Sequence, residues 1–287
     1  MPRFAYVDGR FVRHGNASVH IEDRGLQFGD AVYEVWAVRD GVLFDHAGHL
    51  ARLGRSLAAL RMETPLNEVG LVLVIAELVR RNKLRNGLIY LQITRGTARR
   101  DHPFPKSARP SLILTARAMD MAIGDQKAAL GITVKTMPDT RWGRVDIKTT
   151  NLLPNVLAKQ AALEAGFGDA WLVDEAGFVT EGTAQNAWIV DAEGMLRTRP
   201  SGHDILRGIT RDAIIATASQ LGFSLQERAF TLHEAYGAQE AFITSATSFV
   251  TPVVRIDEAQ IGSGAPGPIA KALRQTYLEQ QTTARTR

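Results

Sequence analysis

Lys148 is the residue of this chain whose surroundings most directly suggest chemistry. It lies in the run 146–155, DIKTTNLLPN, between Ile147 and a Thr-Thr-Asn run that opens a predicted apolar helix. An unpaired ammonium group is costly to bury, so such a lysine either extends into water or loses its proton. A neutral amine is the nucleophile that imine formation with a carbonyl compound requires. The run therefore suggests a reactive amine, with a surface lysine at a helix start as the alternative.

Glu181 follows 33 residues later, in the run Val179–Thr183, where a strand and a turn are predicted. Taken alone, it would be an exposed glutamate at a strand end. Together with a reactive lysine, however, a buried carboxylate that faces a ring nitrogen is what a pyridoxal phosphate site needs. An ionised carboxylate keeps that nitrogen protonated, and the protonated ring withdraws electrons from a substrate carbanion. Lys148 and Glu181 are therefore the candidate pair for this chemistry.

Two halves of the chain must position these residues. The first half begins with hairpin patterns, continues with two helix-period segments and returns to strands. The second half alternates strands and helices, and between the halves the pattern lapses into Ala, Met, Asp and Gly. We predict an α/β protein, with a smaller α+β-like domain over residues 1–117, a linker over 118–126, and a larger mixed domain over 127–287 that carries Lys148.

The composition is that of an ordinary globular protein, with 45% hydrophobic and 22% charged residues. The chain has no cysteine, which excludes disulfides, thiolate metal sites and cysteine nucleophiles, and no metal site is predicted. Neither a signal peptide nor a membrane helix is predicted, so we expect a cytoplasmic protein. The net charge of +4 and the pI of about 9.5 leave a non-enzymatic basic binding protein as an alternative, although no basic stripe interleaved with aromatic residues suggests nucleic-acid binding.

The run Asp146–Leu153, together with Thr180-Glu181-Gly182, resembles the lysine and glutamate motifs of the fold-type IV pyridoxal phosphate enzymes, the class IV aminotransferases. Further family motifs occur in the family's order and with its gaps over nearly the whole chain. The resemblance is greatest to the D-amino acid transaminases, such as D-alanine transaminase. It implies a two-domain fold with the active site between the domains, and a homodimer.

The resemblance also implies which residues bind the cofactor, pyridoxal phosphate. Lys148 would form the Schiff base and shuttle the proton, and Glu181 would accept a hydrogen bond from the pyridine nitrogen. Free main-chain amides at a helix start bind anions, which suits a phosphate group. The remaining implied contacts are Gly208, Ile209 and Thr210 at such a helix start, Leu206 against the ring face, Thr247 in a second phosphate loop, and Arg52 as the charged phosphate partner.

Substrate recognition is implied for the segment Arg95–Pro103, which taken alone is a basic turn after a strand. Arg100 and His102, two residues apart, resemble the carboxylate trap of the D-amino acid transaminases, which the neighbouring subunit supplies. Tyr33 matches the tyrosine that completes this trap, and Val35 is also assigned to the substrate site. A guanidinium that holds the carboxylate decides which face of the substrate Cα meets the lysine, and therefore which enantiomer reacts.

Three positions depart from the family pattern. Ala184 and Gln185 stand where the D-amino acid transaminases tend to have small hydroxyl residues, and Trp36 is bulkier than expected. We expect these residues to affect the side-chain preference rather than the reaction.

The predicted reaction transfers the amino group of a D-amino acid to a 2-oxo acid such as 2-oxoglutarate, in two half-reactions that alternate (a ping-pong mechanism). Alternatives within the same family are a branched-chain L-amino acid aminotransferase, which would lack the Arg100 and His102 trap, an aminodeoxychorismate lyase and an (R)-selective amine transaminase.

Overall fold

A computed structural model describes residues 3–283, which divide into two compact units. The first unit contains the described chain up to Met121 together with Ile147–Asn151, and the second contains the remainder. Each unit has its own sheet and helices, so the predicted mixed α/β class is confirmed. Lys148 packs with the first unit, although its position in sequence suggested the second domain. The other domain boundaries remain predictions.

Antiparallel strands and helices form the first unit. Its strands are β1 (Phe4–Val7), β2 (Arg10–Arg13), β3 (Ala31–Arg39), β4 (Val42–Leu43), β5 (Gly87–Thr94) and β6 (Ser111–Ala118), and its helices are α1 (Arg24–Phe28), α2 (His46–Ala59) and α3 (Glu68–Asn82). A short 3-10 helix spans His14–Asn16. The strand order is β2-β1-β6-β5-β3-β4. Asp23 and Asn67 cap α1 and α3, because their side chains accept hydrogen bonds from the first free amides of these helices.

The apolar core of the first unit lies between this sheet and helices α2 and α3. Side chains of a strand alternate between its two faces. In β3, Val32, Glu34 and Trp36 are fully buried on the core side, whereas Tyr33 and Val35 are half-buried on the other side. The same strand therefore contributes to the core and presents residues of the predicted substrate site.

Glu34 is a buried carboxylate in this core, with 0% exposure. Nε and Nη2 of Arg52 in α2 each donate a hydrogen bond to it at 2.7 Å, and Nδ1 of His49 lies 2.7 Å from Oε2. Burial by itself raises the pKa of Glu34, but the charge and hydrogen bonds of Arg52, with those of His49, outweigh burial and lower it to about 2. Burial also lowers the pKa of His49. The core thus holds an ionised carboxylate fixed to an arginine.

A mixed sheet with helices forms the second unit. Its strands are β7 (Ile132–Pro138), β8 (Asp169–Val173), β9 (Val179–Gly182), β10 (Asn186–Val190), β11 (Leu196–Thr198), β12 (Leu225–Glu227), β13 (Glu240–Ser245), β14 (Phe249–Ile256) and β15 (Ala259–Gln260). The helices are α4 (Met121–Leu130), α5 (Leu153–Glu164), α6 (Ile209–Gln220), α7 (Leu232–Tyr236) and α8 (Pro268–Thr283). The strand order is β12-β11-β10-β13-β14-β7-β8-β9, and β15 pairs with β14. Across residues 3–283, we find no helix with the length and apolarity needed to span a bilayer.

Helix α4 occupies much of the expected linker over residues 118–126, so this segment is not irregular. Ala, Met, Gln, Lys and Leu all have high helix propensity. The helix has no apolar stripe, however, and Ala128 is its buried residue. Because helices are recognised in sequence mainly by such a stripe, the pattern over α4 suggested a linker.

Replacing Glu34 with Gln should lower the free energy of unfolding by about 3–5 kcal/mol at pH 7, because the variant leaves the Arg52 charge buried without its carboxylate. Urea denaturation measures this loss. A depressed pKa stabilises the folded state above the unfolded pKa, near 4.5, and this contribution disappears as the pH falls toward 2. The difference between the variant and the wild type should therefore be largest above pH 4.5 and shrink toward pH 2.

Glu77→Gln is the matched control for this measurement. Glu77 pairs with Arg80 and Arg81 and its pKa is also about 2, but it lies at the surface of α3. Exposed ion pairs stabilise proteins little, so this variant should unfold almost like the wild type. Equal losses from the two variants would contradict the explanation by a buried charge.

Candidate active site

The segment that carries Lys148 pairs with the beginning of β3. The Tyr33 amide donates to the carbonyl oxygen of Lys148 at 3.0 Å, and the Thr150 amide donates to that of Ala31 at 3.2 Å. The Lys148 amide itself donates to Oγ of Ser56 in α2 at 3.3 Å. The main chain at Lys148 is therefore held by β3 and by α2.

The side-chain amine of Lys148 lies over the ring of Tyr33, with Nζ 4.2 Å from the ring centroid. The side chain is half-buried, whereas Ile147 and Thr149 beside it are buried. The expectation that Lys148 lies at a helix start is wrong, since α5 begins at Leu153. A half-buried amine held against an aromatic ring remains within reach of a small molecule.

Tyr33 and Val35 lie on the same face of β3, where β5 adds a second aromatic ring. Tyr90 is opposite Val35, and its ring stacks on that of Tyr33 with centroids 5.6 Å apart. The Tyr90 hydroxyl donates to Oε1 of Gln92 at 2.7 Å. Burial and the neighbouring phenol of Tyr33 raise the pKa of Tyr90 to about 12, so it keeps its proton at neutral pH. Tyr90 is not recognisable as a site residue from the sequence, because its place beside Tyr33 depends on the strand register.

Trp36 and Arg52 lie on the core side of β3. Trp36 is fully buried, with its ring 5.4 Å from that of His49. The expectation that Trp36 affects the substrate side-chain preference is therefore wrong, because strand alternation points it away from the face of Tyr33. Arg52 directs two of its nitrogens to Glu34. Its contact with a phosphate group remains a prediction.

In the second unit, Glu181 is the centre of a buried hydrogen-bond network. Its carboxylate accepts hydrogen bonds from the Arg141 guanidinium, from Nδ2 of Asn186 at 3.0 Å and from the Leu206 amide at 3.2 Å. The residue is 6% exposed. Glu181 is thus not the exposed strand-end glutamate of the alternative interpretation. Its role as partner of a ring nitrogen remains a prediction.

Arg141 is a functional candidate that is not predicted from the sequence. Its guanidinium bridges Glu181 and Asp139, with Nη2 2.6 Å from Oδ2 of Asp139. Burial by itself lowers the pKa of Arg141, but the hydrogen bonds and charges of Asp139 and Glu181 outweigh burial and raise it. A permanently charged guanidinium favours the ionised form of Glu181. An arginine seven residues before Lys148 was the visible signal, but its partner lies 40 residues away in sequence.

The start of α6 is joined to Glu181 through Asn186. A Cβ at Gly208 would collide with Oδ1 of Asn186, so glycine permits the close approach of this helix start. Thr210 in the first turn is 2% exposed, and its Oγ1 has no hydrogen-bond partner within residues 3–283. Free amides at a helix start and a buried unpaired hydroxyl together suit an anion such as a phosphate group.

Thr247 lies in the turn between β13 and β14. The hydroxyl groups of Ser245 and Ser248 are 2.6 Å apart, and the Ser248 amide donates to Oγ of Ser245 at 3.1 Å. Phe249, which follows, has φ = 58°, a conformation that residues other than glycine rarely adopt. The turn is thus held in a defined conformation. A phosphate contact of Thr247 remains a prediction.

Gln185 fastens the turn that follows Glu181. Its Nε2 donates to Asp169 at 2.8 Å, and its Oε1 accepts from the Ala184 amide at 3.1 Å. Thr183 donates to the same aspartate at 2.6 Å. We therefore assign Gln185 a structural contact with Asp169, in place of the expected effect on substrate preference.

Arg100 and His102 lie on an exposed loop between β5 and β6. Both approach the ring of Phe28 at the end of α1: Cζ of Arg100 lies 5.1 Å from its centroid, and the His102 ring centroid lies 5.8 Å from it. Tyr33 instead contacts Tyr90 and the lysine amine. The structure thus brings two members of the predicted carboxylate trap together and holds the third elsewhere in the same unit.

Comparisons with known proteins agree over nearly the whole chain. A family model described as amino-transferase class IV matches residues 31–256. The D-alanine aminotransferase of Bacillus licheniformis is 40% identical over 279 residues, 97% of this chain and 97% of that protein. The structure of the branched-chain amino acid aminotransferase of Escherichia coli matches this chain with a TM-score of 0.90 and 27% identity. The match covers 97% of this chain and 94% of the Escherichia coli chain. The structure of the branched-chain aminotransferase of Thermoproteus uzoniensis with norvaline matches with a TM-score of 0.87 and 26% identity. This match covers 99% of this chain and 96% of the Thermoproteus uzoniensis chain.

Proposed function

Because this chain belongs to the class IV aminotransferases, we propose that it transfers the amino group of a D-amino acid, such as D-alanine, to a 2-oxo acid such as 2-oxoglutarate. The predicted family is confirmed, and with it the fold type IV class and an activity on amino acids and 2-oxo acids. The observation that carries the D-amino acid proposal is the pair Arg100 and His102 on the loop after β5, named the trap pair below. Relatives named D-alanine aminotransferase, 40% and 36% identical, support it.

Pyridoxal phosphate, as predicted, is the cofactor of this family. When bound, it carries the amino group and withdraws electrons from the substrate Cα. Residues of the second unit fit this group: the unpaired hydroxyl of Thr210 and the amides at the start of α6 suit its phosphate, and the buried Glu181 suits its ring nitrogen. The other residues that we propose to hold it are Leu206, Gly208, Ile209, Thr247, Arg52 and Lys148.

Lys148 is the proposed catalytic residue, because its amine can hold the cofactor aldehyde and then move the proton at the substrate Cα. The Tyr33 ring centroid lies 4.2 Å from Nζ, and hydrogen bonds to β3 and α2 hold the main chain. Arg141 favours the ionised form of Glu181, so that this carboxylate can keep a proton on the ring nitrogen.

The trap pair is proposed to bind the substrate carboxylate together with Tyr33 in a homodimer, in which the loop of one subunit serves the other. Both side chains are exposed on their loop, which leaves them accessible to a carboxylate. A guanidinium can bind a carboxylate through two parallel hydrogen bonds. Val35, on the same face of β3 as Tyr33, is proposed to contact the substrate side chain.

A branched-chain L-amino acid aminotransferase is the second candidate function. The two solved structures described above, with TM-scores of 0.90 and 0.87, are branched-chain aminotransferases. A shared fold does not fix the substrate, which depends on residues grafted onto it. The trap pair therefore favours the D-amino acid.

Borohydride reduction should attach the cofactor covalently to Lys148. The protein with bound cofactor should be yellow and lose its visible band on reduction, and peptide mass spectrometry should find the adduct at Lys148. Lys148→Arg keeps a long basic side chain beside Tyr33 but has no primary amine, so it should form no adduct, whereas the control Lys135→Arg should keep the adduct at Lys148. An adduct on another of the seven lysines would overturn the assignment.

With 2-oxoglutarate as the amino acceptor, the enzyme should convert D-alanine faster than L-leucine. Initial rates at several 2-oxoglutarate concentrations should give parallel double-reciprocal lines, because the half-reactions alternate. Arg100→Leu should lower kcat/KM for D-alanine about 10- to 100-fold, since it removes charge-assisted hydrogen bonds to the carboxylate.

Arg99→Leu is the matched control for this variant, because Arg99 is an exposed arginine on the same loop. Its kinetics should be close to those of the wild type. A preference for L-leucine, or an Arg100→Leu enzyme with wild-type kinetics, would contradict the D-amino acid proposal.

Glu181→Gln should lower kcat on the order of 10²-fold, because a neutral amide no longer keeps the ring nitrogen protonated. Arg141 keeps its second carboxylate, Asp139, so the variant should still fold. Single-turnover rates with D-alanine and the dissociation constant of the cofactor separate catalysis from binding. A larger loss in cofactor affinity than in kcat would show that Glu181 mainly serves to bind the cofactor and contributes little to catalysis.

A further inference from the structure

The loop that carries the trap pair is fastened at its main chain by a buried arginine. Arg24 of α1 is 3% exposed. Its Nη1 donates to the carbonyl oxygen of Asp101 at 2.6 Å, and its Nη2 makes a longer contact, 3.4 Å, to that of His102. Asp101 is the residue between Arg100 and His102. The guanidinium therefore holds the peptide groups that set the direction of both side chains.

Asp30 holds this arginine and joins it to the start of the loop. Its Oδ2 accepts a hydrogen bond from Nε of Arg24 at 2.8 Å and from Nε of Arg95 at 2.7 Å. Arg95 directly follows β5, and its Nη2 donates to the carbonyl oxygen of Leu60 at 2.8 Å. Burial by itself raises the pKa of Asp30, but the hydrogen bonds and charges of Arg95 and Arg24 outweigh burial and lower it. Asp30 is thus an ionised link between two arginines.

Aromatic rings on both sides of the trap pair contact the two arginines that hold the loop. Phe104, beyond His102 in sequence, lies under the Arg95 guanidinium, with Cζ 3.7 Å from its ring centroid. Phe28 lies 4.7 Å from Cζ of Arg24 and is the ring that the trap pair approaches. Main-chain pairing adds to this, because the Arg24 amide donates to the carbonyl oxygen of Gly96 at 3.0 Å.

We propose that Arg24 is a positioning residue for substrate recognition, which holds the trap pair in the conformation that binds the substrate carboxylate and does not itself contact the substrate. This inference rests on the proposed function. The planar guanidinium can donate to a carboxylate and to two carbonyl oxygens at once, which the compact ammonium of a lysine does not reproduce. A displacement of about 1 Å in a binding group can cost on the order of 10²-fold in rate.

Arg24→Lys tests the proposal, because it keeps a positive charge near Asp30 but removes the planar guanidinium that contacts the three oxygens. The KM for D-alanine should rise about 10- to 100-fold with kcat little changed, since the carboxylate is bound less well. The absorption of the bound cofactor should stay that of the wild type, because Arg24 is outside the proposed cofactor-binding residues. An unchanged KM would overturn the proposal.

A double-mutant cycle with Arg100→Leu separates positioning from a general loss of structure. If Arg24 acts through the trap pair, Arg24→Lys should lower kcat/KM by a much smaller factor in the Arg100→Leu variant than in the wild type. Losses in kcat/KM that simply multiply would overturn the proposal. Should Arg24→Lys fail to fold, Asp30→Asn, which weakens the hold on Arg24, should show the same rise in KM and the same coupling.

Arg81→Lys is the matched control. Arg81 also pairs with a carboxylate, Glu77, and lies 4.4 Å from the ring centroid of Phe11, but it belongs to α3. Its kinetics should be those of the wild type. If the wild-type enzyme with bound cofactor turns over no D-amino acid, the proposed function and this inference both fail. If it uses D-alanine while Arg24→Lys keeps its KM, the function stands and the inference alone fails.

Discussion

The pairing of the Lys148 segment with β3 is the interaction on which the first unit's site depends. Two main-chain hydrogen bonds, Tyr33 to Lys148 and Thr150 to Ala31, place the amine over the Tyr33 ring. The strand itself cannot slide by one residue, because such a shift would move Glu34 out of the core and Tyr33 into it. The buried contact of Glu34 with Arg52 thus fixes the register, and the register fixes where the lysine amine lies.

The same electrostatic arrangement recurs at each part of the proposed machinery: a buried or nearly buried carboxylate is shared between cationic or hydrogen-bonding partners. Removing a charge from water is costly unless it is paired and hydrogen-bonded, and the arginine fork does both. Arginine outnumbers lysine 27 to 7 in this chain. The basic composition was the reason to keep a binding protein as an alternative function. Several of these arginines are instead paired with carboxylates inside the fold. The clusters are Glu34 with Arg52 and His49, Asp30 with Arg24 and Arg95, and Glu181 with Arg141 and Asn186.

The sequence supports predictions about segments better than about directions of side chains. The strand that carries Tyr33 and the helix that starts after Gly208 are local patterns, and both are found. Which face Trp36 occupies depends on register, and which partner Arg141 finds depends on a contact 40 residues away. Neither is encoded in a local pattern. For the same reason Lys148 could be proposed from its motif, whereas its half-buried position and its place in the first unit could not be predicted.

The residues proposed for the chemistry and those proposed for substrate choice lie in different kinds of structure. Lys148 and Glu181 lie in segments fixed by strand pairing and buried hydrogen bonds, whereas the trap pair lies on an exposed loop. Loops can change without disturbing a core, so a scaffold with a TM-score of 0.90 to a branched-chain aminotransferase can serve a different substrate. An exposed loop, however, selects a substrate only if its side chains are held in place. The hydrogen bonds from Arg24 to the loop main chain supply that rigidity from the first unit's interior, so that under the proposed function specificity would depend on a buried arginine as much as on the exposed residues that it supports.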